Sequence, residues 1–134
     1  MFFYASRPGP DPEVLKLGFR KCGELAVAGK HQNTALAEPA KGNLQGLVGD
    51  LLGDKAAIIL ARDNALDLGG LTIRLVTKRV PLRHRSPVLG AWTTIDHIKE
   101  IARSHYATAI VFLPWLDDEL DEFRASFPDA VALS

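Results

Sequence analysis

Cysteine is almost absent from this chain. The 134 residues contain one, Cys22, so an internal disulfide is excluded. No apolar run approaches the ~18 residues of a membrane-spanning helix, and the start MFFYASRPG lacks the basic segment and the length of a secretory leader. Positive and negative side chains cancel to a net charge of zero, which argues against general nucleic-acid binding. These absences predict a cytoplasmic protein without a membrane partner.

Several signatures of catalysis and cofactor binding are also missing. The chain has no G-x-G-x-x-G motif, no Walker A loop, no G-x-S-x-G elbow and no Cys/His pairs at zinc spacing. The histidines are scattered, and we expect His97 and His105 to lie on polar surfaces or at helix ends. No cofactor and no metal site is predicted, and it stays open whether the protein is an enzyme.

The composition is that of an ordinary globular protein. With 47% hydrophobic and 24% charged residues, residues 1–134 are expected to form one domain. The charge is uneven: residues 55–104 hold nine Lys/Arg and four Asp/Glu, and residues 105–134 hold one and six. The two segments, at +5 and −5, are expected either to face each other within the domain or to meet a charged ligand or a second subunit.

The last forty residues carry the clearest structural pattern. Thr94 is expected to cap an amphipathic helix, TAIVFL (108–113) has the composition of a buried strand, DDELDEFRAS (117–126) has helical spacing, and AVAL (130–133) is a short strand. Alternating helices and strands indicate parallel crossovers, and a run without polar alternation indicates a strand covered on both faces. The fold class is therefore α/β: a three-layer domain with a mixed, partly parallel sheet flanked by helices.

The first part of the chain gives weaker and more scattered signals of secondary structure. FFYAS has strand composition, and Asp11 followed by Pro12 is typical of a helix start. Residues 29–42 are polar and rich in small side chains, which predicts a loop, and Asn43 is a weak candidate to cap a following helix.

The middle of the chain contains a predicted β-hairpin over residues 65–77. Apolar residues alternate with polar ones on both sides of Gly69-Gly70, the pair that a two-residue turn favours. Residues 56–61 (AAIILA) fit either a helix or a strand, and the hairpin that follows favours a helix. Residues 77–92, with two prolines and a surplus of Lys/Arg, predict a long exposed loop.

The predicted site follows from the sheet. Open α/β sheets bind ligands outside the carboxyl ends of their strands, where we expect Trp115 after one strand and Ser6 and Arg7 after another. The basic loop adds Arg83, His84, Arg85 and Ser86, a set suited to binding an oxyanion. Each of these residues also has an ordinary structural role, as a packed lid, a strand end or a solvated loop.

The leading functional hypothesis is a module that binds an anionic or planar, nucleotide-like small molecule in this strand-end crevice. One alternative is a homo-oligomeric or partner-binding protein that uses its oppositely charged segments. A second alternative is an enzyme in which His84 acts as acid or base beside Arg83 or Arg85.

Overall fold

The computed structural model describes residues 1–40 and 46–133. Their strands are β1 (Phe2–Tyr4), β2 (Asn33–Ala37), β3 (Ala65–Asp67), β4 (Thr72–Val76), β5 (Ser86–Ala91), β6 (Ala107–Leu113) and β7 (Val131–Ala132). Their helices are α1 (Pro12–Ala28), α2 (Leu47–Leu52), α3 (Asp54–Asp63), α4 (Ile95–Ala102) and α5 (Asp117–Ser126). These strands form one sheet in the order β3-β4-β2-β5-β6-β1-β7. Every pairing is parallel except that of β3 with β4.

Helices cover both faces of the sheet. On one face, α1, α2 and α3 contribute Leu15, Val48 and Leu60 to a core that includes Leu36, Leu89 and Leu113 of the sheet. On the other face, α4 and α5 contribute Ile98 and Phe123 to a second core with Val88 and Phe112. The predicted three-layer α/β arrangement with a mixed sheet is confirmed.

Helix α1 shows how the sequence sets one of these layers. The Asp11 carboxylate accepts a hydrogen bond from the Glu13 N–H at 2.9 Å, and Pro12 occupies the first helical position, as predicted. Gly18 lies so close to β5 that an added Cβ would be 2.7 Å from Leu89 Cδ1.

None of the helices in residues 1–40 and 46–133 is long and apolar enough to cross a lipid bilayer.

The carboxyl-terminal third follows the sequence pattern closely. Strand β6 lies inside the sheet between β5 and β1 and ends where Pro114 removes a backbone donor. Helix α5 begins at Asp117, so three carboxylates occupy its first turn, where the helix dipole favours negative charge. Strand β7 then pairs with β1 at the margin of the sheet.

The hairpin predicted over residues 65–77 and the helix favoured over residues 56–61 also agree with the structure. Gly69 and Gly70 have φ angles of +75° and +107°, the positive values that a tight turn between β3 and β4 requires. Residues 56–61 belong to α3, so AAIILA is helical.

The predicted loop over residues 29–42 is wrong at its centre, because Asn33–Ala37 is the interior strand β2. Alanines at 35 and 37 are fully buried between β4 and β5, and such small side chains gave little strand signal. The predictions for residues 41, 42 and 43, including the Asn43 cap, lie outside the described residues.

The exposed loop predicted over residues 77–92 is wrong in its second half, where Ser86–Ala91 is the fully buried strand β5. Pro87 is tolerated because it follows a register irregularity at the start of the strand. Gly90 is needed because Ile98 of α4 packs directly against its backbone, in the space that a Cβ would occupy.

Candidate functional site at the carboxyl ends of β2 and β5

Two pairs of neighbouring parallel strands send the chain to opposite faces of the sheet. After β2 the chain goes to α2 and α3, whereas after β5 it goes to α4 on the other face. After β1 it goes to α1, whereas after β6 it goes to α5. Ligands of open α/β sheets bind outside the carboxyl ends at such divergence points. The two divergence points differ in the residues that occupy them.

The carboxyl ends of β1 and β6, which we call the closed strand end, lie under residues 5–11. The Gly9 N–H donates to the Pro114 carbonyl at 3.0 Å, and the Trp92 indole N–H donates to the Gly9 carbonyl at 3.0 Å. The segment is therefore tied to the residues that follow both β6 and β5, and backbone groups that would otherwise face a ligand are paired.

The carboxyl ends of β2 and β5, which we call the Glu38 strand end, contain a buried carboxyl group. Ala37 lies opposite Val76 of β4 and Gly90 of β5, and the Glu38 N–H donates to the Val76 carbonyl at 2.9 Å. Glu38 is 2% exposed, and its Oε1 is fully enclosed without a hydrogen-bond partner among the described residues. Buried polar atoms are nearly always paired, so this oxygen calls for an explanation.

Burial also decides the charge of this group. Removing a carboxylate from water disfavours its ionised form, which raises the pKa of Glu38 to about 9. At pH 7 the side chain is therefore a neutral carboxylic acid, with one O–H donor and one carbonyl acceptor.

A second polar pair follows β5. Thr93 Oγ1 and His97 Nδ1 are 2.8 Å apart, and both side chains are buried. The Thr94 hydroxyl accepts from the His97 N–H at 3.2 Å, which fixes the first turn of α4. Of the two positions predicted for His97, the helix end is correct, since it lies in the first turn of α4, and the polar surface is wrong, because the side chain is buried against the loop after β4.

The His97 ring lines a small cleft of about 160 Å³ together with Thr77, Lys78 and Glu100. Burial lowers the pKa of the His97 imidazole, Lys78 lowers it further, and Glu100 opposes the shift. The neutral ring has one donor and one acceptor nitrogen. Nε2 therefore takes whichever of these two roles Nδ1 does not take in its bond with Thr93.

Trp92 connects the two strand ends. It is the first residue after β5 and has a φ of +58°, a conformation that costs a bulky residue energy. Its ring packs against the core of the α1 face while its indole N–H holds Gly9. Such a conformation persists only where the surrounding contacts fix it, as the packing of the ring and its bond to Gly9 do here.

The residues predicted as one site are separated. Ser86 begins β5, and Trp115 follows the far end of the neighbouring strand β6, so about 20 Å of strand lies between their levels. Ser6, Arg7 and Trp115 are exposed at the closed strand end, with Trp115 at 49%. The single crevice that joined these residues to the basic loop is not formed.

The basic loop itself is divided. Arg83 and His84 line a cleft beside β4, which Arg85 does not line. The Ser86 hydroxyl is buried and donates to the His84 carbonyl at 2.8 Å, which gives it a local structural role. The ligand-binding roles of these residues and the catalytic role of His84 stay predictions.

Sequence reasoning missed Glu38, Thr93 and His97. The available signal for Glu38 was an acidic residue directly after the apolar run TALA, which becomes visible once that run is assigned as a strand. The signal for the other pair was a threonine four residues before a histidine across a helix start.

Comparison with known proteins adds no constraint on the family or the function of the chain. No protein-family model matches the chain, and no curated protein or solved structure matches it either.

Proposed function

We propose that the protein is a binding module for a small planar molecule at the Glu38 strand end. The observation that supports this most strongly is the enclosed Glu38 Oε1 without a partner among the described residues. An unmet hydrogen-bonding group in a protein interior costs about 1–3 kcal/mol, and a ligand that pairs with it recovers that energy on binding.

The neutral state of Glu38 narrows the class of ligand. A protonated carboxyl group carries a donor and an acceptor side by side, which matches the edge of an amide, a lactam or a nucleobase. A cationic ligand would instead need Glu38 ionised and would release its proton on binding. The proposed ligand is therefore neutral at the atoms that contact Glu38.

The neighbouring groups suit a polar ligand as well. Thr93 and His97 are held at the start of α4, which follows β5, the strand next to β2. Because β2 and β5 are parallel neighbours, Glu38 and the pair of Thr93 and His97 follow strand ends at the same edge of the sheet, where a ligand at this divergence would lie.

Ligand-observed NMR tests this proposal with nicotinamide, uracil and adenine, which share an amide-like edge, and with benzene-1,2-diol, which lacks it. We expect wild type to bind at least one of the first three, Glu38→Leu to weaken that binding at least tenfold, and Glu38→Gln to retain part of it. Glu24→Leu changes an exposed glutamate of α1 and is the matched control.

Binding of all three compounds to Glu38→Leu with wild-type affinity would contradict the proposal, as would no binding to wild type at millimolar concentration. Calorimetry in buffers of different ionisation enthalpy gives a second check. Binding without proton release fits the neutral ligand, whereas release of one proton would show that Glu38 ionises.

A further inference from the structure

A basic cleft lies beside β4 and the end of α3. The loop from Thr77 to Arg85 must return from the carboxyl end of β4 to the amino end of β5, because these strands are parallel. Leu82 of this loop joins the core that contains Val76 and Val88. The loop thus packs on the sheet, and a cleft of about 330 Å³ remains along β4 and the end of α3.

Three arginines and a histidine line this cleft: Arg74, Arg79, Arg83 and His84. Arg74 comes from the strand and is half-buried, and its Nε donates to Asn33 Oδ1 at 2.9 Å, which orients the guanidinium. Its terminal nitrogens are not used in that bond. The other three come from the loop, so strand and loop present positive charge to the same space.

The cleft has little negative charge of its own. Among the described residues that line it, Asp63 is the one carboxylate. Its two oxygens accept from Arg62 Nε at 2.8 Å and from Arg62 Nη2 at 2.9 Å. Three arginines line the same cleft, and an anion with oxygens in one plane or in a tetrahedral group is the usual partner of guanidinium groups.

The remaining lining residues indicate more than a bare ion. Leu75, Val76, Val80, Pro81 and Leu82 give the cleft an apolar part. Asn64 adds a side-chain Oδ1 that is enclosed and has no partner among the described residues. This set matches an apolar or planar body that carries an oxyanion and a hydrogen-bonding group.

We propose that this cleft binds a small organic oxyanion, a phosphate or a carboxylate on a planar or apolar body. Its volume lies at the lower end of the range for small-molecule sites, which suits a compact ligand. A nucleic acid would need an extended basic surface, whereas the chain as a whole carries no net charge. The cleft lies outside the Glu38 strand end, and the proposal stands independently of the function proposed there.

The chain contains a matched pair of variants for the test. Arg83 and Arg85 are two exposed arginines in the same loop, and only Arg83 lines the cleft. Arg83→Gln and Arg85→Gln remove the same charge from nearly the same place, so a long-range electrostatic effect would change both equally. Binding within the cleft would change only the first.

Isothermal titration calorimetry with phenyl phosphate, benzoate, inorganic phosphate and phenol measures how much the anionic group and the aromatic ring each contribute to affinity. We expect phenyl phosphate or benzoate to bind at least tenfold more tightly than inorganic phosphate or phenol, and the stronger of the two identifies the anion. Arg83→Gln should weaken that binding at least tenfold, Arg85→Gln less than twofold, and Glu38→Leu not at all.

Equal weakening by Arg83→Gln and Arg85→Gln would overturn the proposal, and so would the absence of binding by both aromatic anions. Tight binding of phenol alone would also overturn it, since no anion would then be needed. A loss caused by Glu38→Leu would show that the ligand occupies the other site.

Discussion

The closed strand end and the Glu38 strand end are built from the same motif, two parallel strands that diverge to opposite faces, but they treat polar groups differently. At the closed strand end, Gly9 pairs with Pro114 and Trp92, so the backbone itself fills the divergence. At the Glu38 strand end, an enclosed carboxyl oxygen has no partner among the described residues. The first arrangement stabilises the fold, whereas the second costs stability, which proteins tolerate at sites of function.

The largest effect expected from this difference is a higher free energy of unfolding when Glu38 is replaced by a neutral residue. In the unfolded chain the carboxyl has a pKa of 4.5, and in the fold it has one of about 9. Between these values only the folded state holds the proton, so stability is fully present below pH 4.5 and falls as the pH rises toward 9. Glu38→Gln needs no proton and should be more stable than wild type by about 3 kcal/mol at pH 7, measured by urea unfolding.

The same variant should change the pH dependence of unfolding. Between pH 7 and 8.5 wild type should lose about 1–1.4 kcal/mol per pH unit, and Glu38→Gln should show a nearly flat profile. Within this window the unfolded His97, with an ordinary pKa of 6.5, is mostly neutral, and the unfolded Cys22, with an ordinary pKa of 9.0, is mostly protonated, so both change the slope little. Asp11→Asn keeps the helix cap and should retain the wild-type slope, and a flat wild-type profile would contradict the account.

A smaller effect of opposite sign is expected at the closed strand end. Trp92→Phe removes the indole N–H that holds Gly9 and should lower the free energy of unfolding by about 1–2 kcal/mol. Trp115→Phe is the matched control, because Trp115 is half exposed and its indole makes no hydrogen bond with residues 1–40 or 46–133, and it should change stability by less than about 0.5 kcal/mol. Equal effects of the two variants would show that residues 5–11 are not held in this way.

The smallest expected effect concerns the pair at the start of α4. Thr93→Val keeps the shape of the side chain and removes the hydroxyl that bonds to His97, so it should lower the free energy of unfolding by about 1 kcal/mol. The nitrogen chemical shifts of His97 should report the loss of the bond at Nδ1. Unchanged shifts would mean that Thr93 does not set the state of the ring.

Much of the fold could be predicted from the sequence where local signals agree. The cap at Asp11, the Gly69-Gly70 turn, the run before Pro114 and helix α5 each follow from residue types at fixed spacing. Strands β2 and β5 could not be predicted in this way. Apart from Leu36, Val88 and Leu89, their residues are small, polar, proline or glycine. They are strands because neighbours on both sides supply hydrogen bonds and packing.

The candidate site was missed for the same reason. Glu38 becomes notable only when β2 is known to be a central strand that ends beside Val76, and His97 only when α4 is known to turn it inward. The basic loop was correctly singled out as rich in arginine, but its position depends on its return along β4, which separates Arg83 from Trp115. The oppositely charged segments do meet within the chain, through the ion pair of Lys99 and Glu122, and subunit assembly stays a prediction.

The most direct test of the account is the titration of the Glu38 carboxyl carbon in the folded protein, followed by carbon-13 NMR with selective glutamate labelling and assigned through Glu38→Gln. The account predicts that this carbon keeps the shift of a neutral acid at pH 7 and titrates with a midpoint near 9. A midpoint near 4.5, the ordinary value for glutamate, would contradict it.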